Sequence, residues 1–308
     1  MMKNYYPEGV LFETRQNKKC IESVSALREC FFEERILEAR ATLCDREHNL
    51  HVDLGDIHGV IPREECAIGI ADGSVRDIAI ISRVNKPVTF KIIDFMDDAG
   101  IRTAILSRRV VQEEFMADYI KNLKCGDVID ARVTHNESFG SFCDIGCGIS
   151  ALLPIDSISV SRIPHPDVRF AVNTMIKAIV KSVDSSGRVT LSHKELLGTW
   201  EENAQNFKAG QTVGGIVRSI EKYGVFIELA PNLAGLAEFT TDVREGDSAS
   251  VYIKSINPEK MKIKLAIVDS FPADYPRKEI KYYCTEDHID RWQYSPEISE
   301  KLIESVFE

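Results

Sequence analysis

Gly126-Asp127-Val128-Ile129-Asp130-Ala131-Arg132-Val133 opens the stretch that decides the fold. It turns through Phe139-Gly140-Ser141-Phe142-Cys143-Asp144-Ile145-Gly146 and closes on Asp184-Ser185-Ser186-Gly187-Arg188-Val189-Thr190-Leu191-Ser192-His193-Lys194. Val128, Ala131 and Val133 set smaller apolar side chains among polar ones over 128–134. Residues 139–145 alternate, so strand period points Phe142 and Asp144 one way and Cys143 and Ile145 the other. Ile149 to Leu153 is a short apolar run, and Met175–Val183 and Val189–Leu191 carry the period again. Asp184-Ser185-Ser186-Gly187 between the last two is hairpin-turn chemistry. Five short strands in about 70 residues, with one longer connection after the third, predict a small Greek-key barrel of the oligonucleotide-binding type.

These residues carry a resemblance. Gly126-Asp127-Val128, Phe139-Gly140-x-Phe142-x-Asp144-Ile145-Gly146, Leu153-Pro154 and Leu191-Ser192-x-Lys194 stand in the order and spacing of the S1 RNA-binding domain. The whole chain is similar to the S1-domain proteins of clostridia and related bacteria. The predicted fold class is therefore all-β: tandem five-stranded OB-fold barrels of S1 type, joined by short helical linkers.

Working outward, two offset copies of the pattern flank the first. Lys208-Ala209-Gly210 starts a third repeat, whose signature is Tyr223-Gly224-Val225-Phe226-Ile227-Glu228-Leu229. It ends on Lys260-Met261-Lys262-Ile263-Lys264-Leu265, where strand period would put three lysines on one face. That face reads either as solvated or as a track for phosphates. A degenerate first repeat lies in 35–110. Its Asp53-Leu54-Gly55 matches Asp144-Ile145-Gly146, and His48 and His51 replace the two aromatics. Those histidines read as weaker stacking residues or as exposed polar groups on a decayed repeat.

The predicted organisation is a helical lead at 1–34, repeat one at 35–110, a helical linker at 111–122 and repeat two at 123–196. A second helical linker at 197–206, repeat three at 207–268 and an acidic tail at 269–308 complete it. Within the lead, Ile21, Val24, Leu27, Cys30 and Phe31 predict one amphipathic helix from Ile21 to Glu33. In the tail, Pro272, Pro276 and Pro296 and an acidic bias predict partial order, with a short helix from Pro296 to Val306.

The chain carries a net charge of −10 over 308 residues. The acid is unevenly placed: 123–196 is charge-neutral, 207–268 has one net positive charge and 269–308 five net negative charges. Neutral barrels with aromatic platforms suit single strands held by stacking, and make poor binders of duplex DNA. No apolar run approaches the length of a membrane span, and the N-terminus lacks the apolar core of a secretory signal. Eight cysteines without a Cys-x-x-Cys pair read as reduced thiols of a cytoplasmic protein.

No phosphate loop, zinc helix or nucleophile elbow is present, and His135, His165 and His193 stand apart. Binding without catalysis, cofactor or metal is expected. The resemblance implies that Phe139, Phe142, Tyr223 and Phe226 stack on bases, with one ring of each pair packing into the core as the alternative. It also implies contacts from Asp184 and Arg188 in repeat two and from Lys262, at the arginine's place, in repeat three. Lys264 joins them from the lysine stripe. At the family's histidine position after strand three stand Pro154 and Glu238. The expected partner is single-stranded RNA such as mRNA, in translation or RNA metabolism, with the ribosome as a further candidate. The alternative is a non-catalytic scaffold docking on a ribosome, polymerase or nuclease.

Overall fold

The computed structural model describes residues 5–55, 57–98, 101–272 and 279–307; Pro276 lies outside them. Two short helices come first, α1 (Arg15–Ile21) and α2 (Val24–Phe32). The helix expected from Ile21 to Glu33 is α2, which starts at Val24 because the Ser23 hydroxyl accepts from the Ala26 N–H at 3.2 Å and caps it. The polar stretch before it hides α1, which Thr14 caps in the same way.

The first barrel follows: β1 (Leu37–Cys44), β2 (Leu50–Leu54), β3 (Ile57–Ile61), β4 (Pro87–Asp98) and β5 (Ile101–Ser107). The connection before β4 holds α3 (Ile78–Ile81), and α4 (Arg109–Asp118) leaves the barrel. The second barrel is β6 (Val128–Glu137), β7 (Gly140–Asp144), β8 (Ser150–Pro154), β9 (Met175–Val183) and β10 (Val189–Ser192). After α5 (Trp200–Ala204) comes the third: β11 (Thr212–Glu221), β12 (Gly224–Ala230), β13 (Leu233–Ala237), β14 (Ser248–Asn257) and β15 (Lys262–Phe271).

All three sheets close in the same order. Strand one of each pairs with two and four, and strand five lies between three and four, parallel to three. Alternation explains closure: in β9, Ile176 and Ala178 are buried while Met175 and Lys177 are exposed, so one face fills the barrel. The degenerate sequence of repeat one does not break this rule, because Leu50, Val52 and Leu54 still point inward.

By its contacts the chain divides into two compact units. The first comprises residues 1–123 with 130–132 and 144–150. Its apolar core gathers Leu27, Leu37, Phe90 and Leu106. Beside it the buried Glu8 carboxylate accepts from Arg108 Nε at 2.6 Å and Arg83 Nη1 at 3.1 Å. Asp144 belongs to this unit. Its carboxylate accepts from the N–H groups of Glu8, Gly146 and Gly148, and burial lifts it to about 7. Asp144 is the last residue of β7, where strand period keeps it on the Phe142 side, and both it and Ile145 are buried.

The second unit holds the rest, residues 124–129, 133–143 and 151–308. Its core runs from Ile179 through Trp200 and Val225 to Trp292 and Phe307. The expected tail helix over Pro296–Val306 is absent. Residues 269–271 finish β15, and the later segment forms a small hairpin of β16 (Arg291–Gln293) and β17 (Glu304–Val306). Trp292 and Tyr294, two residues apart, are both buried, which is strand spacing rather than helical spacing. The Tyr294 hydroxyl donates to the Asn232 carbonyl at 2.6 Å, so the segment is packed on the third barrel.

Candidate nucleic-acid interface

Strand register decides which side chains share a face. In the third barrel Phe226 of β12 stands opposite Leu236 of β13, and Leu236 opposite Lys264 of β15. In the second, Leu152 stands opposite Thr190, so Thr190 occupies the place of Lys264. In the first, the row is His51, Val60, Ile105. His51 therefore occupies the place of Phe226.

Phe139 and Phe142 meet edge to face, with ring centroids 6.0 Å apart at 88°. Tyr223 and Phe226 show the same two values. Phe139 is 53% exposed and Tyr223 67%, while Phe142 and Phe226 are half-buried. No ring of either pair is in a core. A T-shaped pair leaves a ring face open, which is what a flat base requires.

The glycine after each outer ring makes this corner. A Cβ on Gly140 would lie 2.4 Å from the Leu153 carbonyl oxygen, and one on Gly224 2.4 Å from that of Ala237. Both contacts are with backbone of the neighbouring strand, so no side-chain rotation relieves them. Gly224→Ala is expected to destabilise the protein by about 1–3 kcal/mol, as overpacked sites do; urea unfolding measures it, and an unchanged midpoint would contradict the close approach.

Asp184 is engaged by its own turn. It accepts from Ser186 Oγ at 2.7 Å, Ser186 N at 2.8 Å and Arg188 N at 2.9 Å. The Ser186 hydroxyl, chiefly, holds its carboxyl below the ordinary value. The Arg188 side chain is exposed immediately before the following strand. Lys262 and Lys264 are exposed and alternate with buried Ile263 and Leu265. The lysine stripe is shorter than strand period suggested. Met261 has φ +46°, so Lys260 lies in the hairpin turn and only two of the three lysines are on the strand. Glu238, at the family's histidine position, pairs with Lys254 at 2.8 Å.

The first barrel differs. His48 sits in the β1–β2 turn at φ +65°. His51 pairs instead with His58 of β3: His51 Nδ1 is 2.6 Å from His58 Nε2, and its Nε2 is 3.0 Å from Asp45 Oδ2. Sequence reasoning missed His58. The signal was there, because Val60 faces His51 and His58 is its diagonal neighbour two residues back.

The other histidines do not converge. His193 is buried between Phe170 and Tyr282, and burial pushes it down to about 4. His135 pairs with Glu137 and His165 with Asp167. Among the described residues no three His, Cys, Asp or Glu side chains are arranged to hold a metal ion. All eight cysteines are free. Among those residues no helix is long and apolar enough to cross a membrane.

The sequence profile of the S1 RNA binding domain matches residues 122–194. The chain is 27% identical over 281 residues to small ribosomal subunit protein bS1 of Staphylococcus aureus strain COL, covering 86% of this chain and 69% of that protein. It is 26% identical to bS1 of Leuconostoc lactis, covering 71% of this chain and 53% of that one. A Streptococcus pneumoniae crystal structure of a multidomain protein with nucleic acid binding domains aligns with 77% of this chain and 74% of its own, at 13% identity and a TM-score of 0.24. Residues 122–194 belong to the S1 RNA-binding domain family, as the middle one of three barrels of one topology in a chain similar to bS1 over most of its length.

Proposed function

We propose that the chain is a single-stranded RNA-binding protein acting in translation, through contact with mRNA at the ribosome, or in RNA metabolism. The observation that carries this reading is the repeated aromatic corner on the second and third barrels. Phe139, Phe142, Tyr223 and Phe226 stack on bases. Arg188, Lys262 and Lys264 lie beside phosphates, and Asp184 shapes the hairpin that carries Arg188. His48 and His51 contribute little, because His51 is held by His58 and Asp45. The domain limits are those read from the repeats, with barrels at 35–110, 123–196 and 207–268. Binding is the whole of the chemistry, without catalysis, in the cytoplasm. The likeness to bS1 supports the ribosome as partner. Stacking platforms of near-neutral charge disfavour duplex DNA.

Titration of a labelled single-stranded RNA of about 20 nucleotides, followed by fluorescence anisotropy over a salt series, tests this. Binding that weakens with a log–log slope near −0.7 per phosphate contacted, and that duplex DNA competes poorly, is expected. No binding of RNA at any salt concentration would overturn the reading in favour of a protein-docking scaffold.

A further inference from the structure

The segment after β16 does more than fill a core. Its turn at Ser299–Lys301 lies against the β14–β15 hairpin of the third barrel, where the Glu300 N–H donates to the Glu259 carbonyl at 3.2 Å. The turn is built rather than loose. Ser299 N donates to the Pro296 carbonyl at 3.0 Å, and Ile303 N to Ser295 Oγ at 2.7 Å. Turn and hairpin enclose an open cleft of about 270 Å³, lined by Glu259, Lys260, Lys262, Ser299, Glu300 and Lys301.

Three lysines line one cleft, and the two glutamates that share it form no ion pair with them within 4 Å. The lysines are exposed, and among the described residues no side chain pairs with their ammonium groups. Three lysines against two glutamates leave the lining with one net positive charge, and a phosphate among the unpaired ammonium groups would lower their mutual repulsion. The cleft also has a direction. Lys262 leads along β15 to Lys264, and Lys264 stands in the strand row of Phe226 and Leu236. A strand whose bases stack on Tyr223 and Phe226 would bring its backbone past Lys264 and Lys262 into the cleft.

We infer that this cleft is a phosphate-binding subsite for the RNA backbone, in which Lys301, from outside the barrel, joins Lys260 and Lys262. The inference rests on the proposed RNA-binding function and adds a C-terminal residue to the interface. Each lysine neutralises one phosphate as a point charge, and such contacts hold the strand without reading its sequence. The packed Trp292–Tyr294 segment thereby acts as the support that fixes Lys301.

The test uses the full chain and the same labelled RNA. Lys301→Ala and Lys262→Ala are compared with Lys19→Ala, an exposed position on α1 that removes the same charge elsewhere. Both cleft variants are expected to weaken binding and to reduce the log–log salt slope by about 0.7, with Lys19→Ala matching the wild type. If the wild type binds RNA and Lys301→Ala is indistinguishable from Lys19→Ala in slope and affinity, the cleft holds no phosphate and the inference falls alone. If the wild type binds no RNA, the proposed function falls with it. Lys301 is exposed, and an unchanged thermal midpoint shows that the variant has kept its fold.

Discussion

Phe139→Ala/Phe142→Ala is expected to weaken single-stranded RNA binding at least tenfold, with circular dichroism unchanged. Each base–aromatic stack contributes on the order of 1–3 kcal/mol, and about 1.4 kcal/mol is tenfold. Neither ring is in a core, so truncation removes a platform and leaves no cavity. Tyr223→Ala/Phe226→Ala should cause a loss of the same order, because its geometry is the same. Combining the four substitutions should cost more than either pair, since two sites on one chain raise each other's effective concentration. Anisotropy titrations check this, and a four-fold variant that binds as the wild type does would place the RNA elsewhere on the molecule.

Glu228→Gln is expected to destabilise the second unit by about 3–5 kcal/mol, read as a lower urea midpoint with an unchanged slope. Arg169 reaches Glu228 from the long third-to-fourth connection of the second barrel, with Nη1 to Oε1 at 2.8 Å and Nη2 to Oε2 at 2.5 Å. Arg218 of β11 reaches it at 2.8 and 3.2 Å. All three side chains are at most 9% exposed. Removing the carboxylate leaves two buried guanidinium groups without their counter-charge. Replacing all three residues by apolar ones should recover much of the loss, because the desolvation penalty goes with the charges.

The same network sets a pH dependence. Burial alone would raise the Glu228 carboxyl, but the hydrogen bonds and charges of Arg169 and Arg218 outweigh it and hold the group below its ordinary 4.5. The unfolded chain therefore binds the proton more readily. Stability from this group is complete above about 4.5 and is lost as the pH falls through the lower, folded value. Acid unfolding of Glu228→Gln should lack this component.

The parts of the fold legible in the sequence are those set by local chemistry. Period-two runs such as Met175–Val183 and the turn Asp184–Gly187 announce their strands because alternation and turn residues act over a few positions. The aromatic corner is legible for the same reason, since Phe139-Gly140 and Tyr223-Gly224 each place a ring beside a glycine that alone tolerates the neighbouring carbonyl. What escaped depends on distant partners. Asp144 is buried, and its carboxylate accepts an N–H from Glu8, far away in the chain. His58 meets His51 only through strand register, and Arg169 meets Glu228 across 59 positions. Charge and proline content in the C-terminal segment point to a short helix, and they carry no information about the surface that the segment packs on. Trp292 and Tyr294 show their strand spacing once the surface that buries them is known.

The most direct test of the central claim is photocrosslinking of a 4-thiouridine-substituted single-stranded RNA to the full chain, with the adducts located by mass spectrometry. Adducts on the peptides that carry Phe139 and Phe142, and on those that carry Tyr223 and Phe226, are expected. Adducts confined to the first barrel, or missing from both aromatic corners, would contradict the assignment of the RNA to these two faces.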